Sequence, residues 1–383
     1  MSSSVYFDNA ATTPLLPEVV ERMQLVLSNT FGNPSSVHES GRKAKTIIET
    51  ARKTIASELN VSPREIIFTS GGTESINMVL NSAVRDLDVT TIITSKIEHH
   101  AVLHAVELLE KQHQVQVHYV NLHSCGTPDY EHLEALLQQD DSKKIVSLMH
   151  VNNEVGTLLD IQKVAEMCKA NNALFHSDTV QSVGHFKMDC QKIPIDFLVA
   201  AAHKFHGPKG VGFVYIRKST NIQSFIVGGG QERGFRAGTE SVHNIAGMET
   251  AFVHAYKNLE NDRKYVSELK EYCKNQLIKH MPGTTFNGKC ADMENSSYTI
   301  LNACLPIDPK KSDLLSFHLD LNGIECSKGS ACQSGASQGS HVLNELLAPE
   351  DLKKPSLRFS FSKFNAHSEV DRLVLFLKDY ANN

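Results

Sequence analysis

The chain has 383 residues, of which 41% are hydrophobic and 21% charged, the make-up of a globular protein large enough for a substantial core and two domains. With 38 basic and 43 acidic side chains the net charge is −5, so the basic footprint of a nucleic-acid or anionic-membrane binder is not expected. No apolar run reaches membrane-spanning length and no signal-peptide core opens the chain. Eight scattered cysteines without a CxxC pair read as reduced thiols of a cytoplasmic protein, and no metal site is expected.

In chain order, YFDNAATTPLLP (6–17) reads as an extended arm with a turn. Pro17 then suits the first turn of a helix carrying Val19, Val20, Met23, Val26 and Leu27. FGNPSS (31–36) is a loop. Ile47, Ala51, Ile55 and Leu59 then recur every four residues, which predicts a helix with Arg42, Lys43, Lys45, Arg52 and Lys53 on a solvated face. From there strands and helices alternate: EIIFTS (65–70), a helix from Thr73, TTIITS (90–95), a helix from Glu98, and VQVHYV (115–120). A helix over 130–137, KIVSLMH (144–150) and a helix over 161–169 complete the run. This pattern predicts an α/β layer with a largely parallel sheet, in which ligands sit at the carboxyl ends of the strands.

Residues 173–212 are the centre of the reading. Two short apolar runs, 173–176 and 197–202, end on Asp178 and on His203-Lys204. An acid at one strand end and a lysine at another, able to face each other across the top of a sheet, suit a pyridoxal phosphate enzyme, with the lysine in a Schiff base and the acid holding the ring nitrogen protonated. A buried strand pair with polar ends is the plainer alternative. Gly71-Gly72-Thr73 between strand and helix offers amides and a hydroxyl to an anion, though a Thr-capped turn explains it equally. His99, opening the next helix, has the place to stack on a flat cofactor or simply to cap, and Asn153 reads equally as a turn residue. Five strand ends each offering a usable group favour one shared cofactor.

Further on, VGFVYIRK (211–218) is a strand, and the glycine-rich 228–241 reads either as a flexible surface loop or as one presenting Arg or Thr239 to a phosphate or a neighbouring subunit. One long helix or two in tandem follow from Val242. A second α/β unit then comprises 298–305, a helix over 314–321, 356–362 and a last helix over 368–380. The segment 327–340 holds Cys332 among small residues, which suits an accessible thiol on a mobile loop or an incidental cysteine in a surface loop, and Arg358 is a candidate fork for a carboxylate or one half of a core-edge salt bridge.

FDNAATTP (7–14), GNPSS (32–36), TSGGTES (69–75), EHHAV (98–102), HVNNEVG (150–156), HSDTVQ (176–181), HKFHGPKG (203–210), ERGFRAGT (232–239), GSAC (329–332) and LRFS (357–360) together resemble the cysteine desulfurases. These are class V aminotransferases of fold type I, used in iron–sulfur cluster assembly. The resemblance implies an α/β, fold type I PLP-dependent transferase: an N-terminal arm (1–15) packing with the small domain, a large domain (16–259) with a mostly parallel sheet flanked by helices, and a small C-terminal α/β domain (260–383). It implies that Lys204 binds the pyridoxal phosphate, Asp178 pairs with its ring nitrogen, His99 stacks on the ring and Gln181 bonds the ring oxygen. Gly72, Thr73 and His203 would hold the phosphate, with Thr239 reaching over from a second subunit. Asn153 and Arg358 would hold the substrate L-cysteine, and Cys332 would receive its sulfur as a persulfide while L-alanine leaves. A homodimer and a protein sulfur acceptor are implied as partners. A selenocysteine lyase, a non-catalytic sulfur-assembly scaffold and an aminotransferase with an idle thiol are the alternatives. Two departures stand out: Ala201 occupies a place where relatives commonly carry Ser or Thr, removing a phosphate hydroxyl, and Lys328 stands beside the thiol segment, where it would lower the thiol pKa.

Overall fold

The computed structural model describes residues 4–328 and 339–382. The chain opens with β1 (Val5–Tyr6), α1 (Pro17–Asn29) and α2 (Glu39–Glu58). Alternation follows: β2 (Ile66–Thr69), α3 (Gly72–Asp86), β3 (Thr91–Thr94), α4 (His100–His113), β4 (Gln116–Tyr119), α5 (Tyr130–Gln138), β5 (Lys144–Ser147), α6 (Ile161–Ala170), β6 (Leu174–Asp178), β7 (Phe197–Ala201) and β8 (Gly212–Ile216). These strands form one seven-stranded sheet in the order β2-β8-β7-β6-β5-β3-β4. Only β8 runs against its neighbours β2 and β7; the other pairings are parallel. The strands β2, β3, β5, β6 and β7 therefore all end at the same edge of the sheet.

Period-two alternation covers both faces of this sheet. Ile66, Phe68, Leu198, Ala200, Phe213 and Tyr215 pack beneath α1, α2 and α7 (Val242–Lys257). Their sequence neighbours Ile67, Phe197, Val199 and Val214 turn to the other face, against α3 and α4. The helices start on identifiable caps: Asp129 accepts from the amides of Glu131 and His132, and Asp160 from Lys163.

After α7 the chain turns at Asn258 into α8 (Leu259–His280), so the predicted run from Val242 is two helices in tandem. Then come β9 (Thr285–Phe286), β10 (Ile300–Cys304), α9 (Ser312–Leu321), β11 (Ile324–Glu325), α10 (His341–Leu346), β12 (Ser356–Ser360) and α11 (His367–Asn382). The antiparallel sheet β12-β10-β9 shares a core with α8, α9 and α11. Val5 and Phe7 belong to that core too, because β1 pairs in parallel with β11. None of the seven cysteines among the described residues is in a disulfide.

One local expectation is corrected. Arg52 is buried: its guanidinium makes a two-pronged contact with Glu232, at 2.8 Å on each prong, and a bond to Ile66 O at 2.6 Å. In α1 only Val19 and Val26 are buried, while Val20 and Leu27 face outward, along with Leu25 and the following Phe31.

Candidate active site

Five parallel strand ends and β12 converge on one cavity of about 230 Å³. Its lining includes Ala10, Ala11, Gly72, Thr73, His99, Asn153, Asp178, Gln181, Ala201, His203, Lys204 and Arg358. The sequence-predicted residues are thus brought together, with two exceptions. Thr239 sits on an exposed loop and does not line the cavity, and Cys332 lies outside the described residues.

The α3 end is built for an anion. Gly71 holds φ +149°, a backbone that only glycine adopts at ease, and this turns the first amides of α3 towards the cavity mouth. Gly212 lets β8 pass close by: a Cβ there would lie 2.9 Å from Gly71 Cα and 2.3 Å from Ala200 O. A recess beside it is lined by Ser70, Gly71, Gly72, Thr73, His203 and Lys209, so Lys209 adds a cation that the sequence reading did not single out. Glu74 Oε2 accepts the Ser70 amide at 2.9 Å and Oε1 accepts Arg236 Nε at 2.8 Å. Burial pushes the Glu74 carboxyl up, but Arg236 and Ser70 outweigh it and hold the group below its ordinary range.

At the centre, Asp178 and Lys204 come from adjacent parallel strands β6 and β7. Burial pushes the Asp178 carboxyl up, opposed by His99, by the Val180 amide that it accepts at 2.9 Å, and by Lys204. A buried acid of this kind is a place for a cation to settle. Lys204 Nζ donates to Ala10 O at 2.6 Å and Ala11 O at 2.8 Å, so the N-terminal arm forms part of the lysine's seat. Gln181 Nε2 donates to the same Ala10 O at 2.9 Å. His99 caps α4, its Nδ1 accepting from the Ala101 amide at 3.1 Å, which leaves Nε2 to carry the proton of the neutral ring. Burial foremost holds His99 below the usual histidine range and His203 down to about 4.

Arg358 reaches in from β12 and is buried. Nη1 donates to Asn153 O at 2.8 Å and Nη2 to Asp8 Oδ1 at 2.8 Å, while Nε has no hydrogen-bond partner among the described residues. A buried, unpartnered guanidinium donor suits a ligand carboxylate. Asp8 also accepts Ser327 Oγ at 2.8 Å, tying the arm to the chain just before the thiol segment. Asp8 stands in the FDNAATTP motif, but no reading along the chain assigned it a role, because its partners lie more than three hundred residues away. Lys328 Nζ donates to Ser312 O at 2.5 Å. The donor set as a whole fits a flat ligand with an anionic end at α3, a cationic ring position at Asp178 and a carbonyl carbon near Lys204.

Residues 5–373 match the family model described as aminotransferase class-V. The chain is 39% identical over 373 residues to "Cysteine desulfurase IscS" of Dictyoglomus turgidum, covering 97% of this chain and 93% of that relative. Among solved structures, a "NifS-like protein" superposes with a TM-score of 0.89 at 35% identity, covering 98% of each chain. "SspA in complex with cysteine" does so with a TM-score of 0.82 at 29% identity, covering 95% of this chain and 100% of the other. Fold, lining residues and likeness along nearly the whole length agree: the chain belongs to the class V aminotransferase family and, within it, to the cysteine desulfurases.

Proposed function

We propose that the protein is a pyridoxal phosphate-dependent cysteine desulfurase that converts L-cysteine to L-alanine and passes the sulfur to Cys332 as a persulfide. The observation that carries this reading is the meeting of Asp178, Lys204 and Arg358 in one cavity at the amino end of α3. Gly72, Thr73 and His203 would hold the cofactor phosphate, Gln181 and Asp178 its ring, and Lys204 its carbonyl carbon. When bound, the cofactor supplies an electron sink for the pair left at the substrate α-carbon. Arg358, steadied by Asn153 O and Asp8, would take the substrate carboxylate on its remaining N–H donors. Lys204 Nζ, once released from the cofactor, would remove the α-proton, and His99 Nε2 is placed to move a proton at the ring. The Cys332 thiolate would attack the substrate sulfur, forming the S–S bond as the C–S bond breaks.

The finer assignments belong to the same reading. The division into an arm (1–15), a large domain (16–259) and a small domain (260–383) is supported by the separate cores on α1–α7 and on α8, α9 and α11. A homodimer is supported by the outward-facing Leu25, Leu27, Phe31, Val37 and Val227, and would bring Thr239 to the partner's phosphate. Free thiols suit the cytoplasm, and among the described residues no helix is long and apolar enough to cross a membrane. The sulfur acceptor is taken to be an iron–sulfur scaffold or a relay protein.

The test is an anaerobic incubation of the purified yellow protein with L-cysteine. Alanine and sulfide in equal amounts with reductant, and one added sulfur atom on the Cys332 peptide without it, are the expected result. A yellow protein that forms no alanine overturns the reaction, and one that stays colourless with added pyridoxal phosphate overturns the cofactor assignment.

A further inference from the structure

Outside the cavity, the start of α10 is fastened to the two segments that carry His99 and Asn153. Ser340, the N-cap of α10, accepts the Leu343 amide on its hydroxyl oxygen at 3.0 Å and donates that hydroxyl to Glu154 Oε2. His341, next in the chain, places Nε2 2.9 Å from Glu98 O and its ring 4.4 Å from that of His100. A carbonyl only accepts, so Nε2 carries a proton. Nδ1 then faces Glu154 Oε1 across 4.0 Å, and neither atom has a hydrogen-bond partner among the described residues. Beneath these polar contacts Val342, Leu343 and Leu346 pack on Ile97 and Val155, the neighbours of Glu98 and Glu154. Lys96 and Glu345 close the outer edge at 3.5 Å.

The Glu154 carboxylate is wholly buried, which is unfavourable unless polar partners hold it. Capping α10 does not require it, since the Ser340 hydroxyl alone serves the Leu343 amide. Its contacts instead run into the cavity wall. Asn153, directly before Glu154, gives its carbonyl to Arg358 Nη1, and His99 directly follows Glu98. Asn152 binds the two segments to each other, donating to Ile97 O at 3.0 Å and accepting the Glu154 and Val155 amides at 2.9 and 3.0 Å. A displacement of α10 is therefore felt at both a ring-facing and a carboxylate-facing group.

We propose that Ser340, His341 and Glu154 form a positioning unit for the desulfurase site, setting His99 and, through the Asn153 carbonyl, Arg358 against the substrate. This rests on the cysteine desulfurase reading above. None of the three lines the cavity, so they act through other groups.

The test compares holoenzyme with Ser340→Ala, Ser340→Thr and His341→Phe, measuring alanine formation from L-cysteine and thermal midpoints. L-alanine binding is also followed by the cofactor absorbance, with Cys332→Ala present in every protein so that the thiol is out of the comparison. Ser340→Ala is expected to raise KM about five-fold and to lower kcat less than about two-fold, with a midpoint lowered by only a few degrees for the lost cap. The L-alanine titration should shift by about the same factor, and Ser340→Thr, which keeps the hydroxyl, should recover to within about two-fold. Unchanged KM and titration in both Ser340→Ala and His341→Phe would overturn the proposal. So would a defect that disappears in the Cys332→Ala background, since the role would then lie with the thiol segment. If the unmodified protein forms no alanine, the desulfurase reading fails instead, and the L-alanine titrations still judge the positioning unit by themselves.

Discussion

Ala201 ends β7 against the cavity, close to the mouth where α3 presents its amides. A hydroxyl at this point would face a bound phosphate without disturbing the strand, since the Ala201 backbone is already extended. Ala201→Ser is expected to tighten pyridoxal phosphate by about five-fold, the worth of one hydrogen bond of ~1 kcal/mol, in an absorbance titration of the cofactor-free protein. An unchanged affinity would mean that Lys209 or His203 already meets that oxygen. At this scale the sequence was readable wherever a residue stood at a strand end: Asp178, His99, Asn153 and Lys204 are found by counting along apolar runs. Arg358 was nameable as a fork, but its seat was not, because Asp8 and the Asn153 carbonyl reach it through the fold rather than along the chain.

Among the elements, the 228–241 loop is held in shape by a buried ion pair. Glu232 and Arg233 hold φ of 44° and 57°, a left-handed backbone that costs energy in residues with side chains. The Glu232 carboxylate answers this with two bonds to Arg52 and one to the Phe68 amide at 2.8 Å. Arg52→Leu leaves that carboxylate buried and unpaired, and is expected to cost about 3–5 kcal/mol in urea unfolding. Adding Glu232→Leu should restore most of the loss, and failure to do so would place the cost in Arg52 packing on the Phe68 ring instead. The helix around Arg52 was legible from its apolar period, while the burial of this one cation was not. It sits in a run of basic residues whose spacing looks alike, and its partner stands 180 positions away. Short elements such as β9, β11 and α10 were missed for a related reason: two to six residues carry too little period to register, and their pairing partners define them.

For the molecule as a whole, buried histidines set the response to acid. Burial holds His150, His203 and His206 down to about 4 and His176 to about 3. Below pH 6.5 the unfolded chain takes up protons at these sites while the folded one refuses them, so stability falls as the pH drops from 6.5 towards 4. Glu98 acts on the other side: burial, with Asp178 adding, pushes it up to about 8, so the folded state holds a proton that the unfolded chain releases above pH 4.5. Its contribution is lost as pH rises towards 8. Unfolding of the cofactor-free protein across this range should show both slopes, and His176→Gln should reduce the acid slope by about one proton. An acid slope identical to that of the unmodified protein would show that His176 does not stay neutral in the fold.

The arm that seats Lys204 has one more consequence, in the order of assembly. Asn9 Nδ2 donates to Ser360 O, a partner 351 residues further along, and β1 waits for β11. On a ribosome this arm is made early, yet it has nothing to pair with until the far strands emerge. The large sheet is able to close first, with the lysine present but its carbonyl seat missing. The cofactor pocket is therefore finished by a strand made 351 residues after the arm, and a nascent protein cannot assemble its complete active site before that strand has emerged.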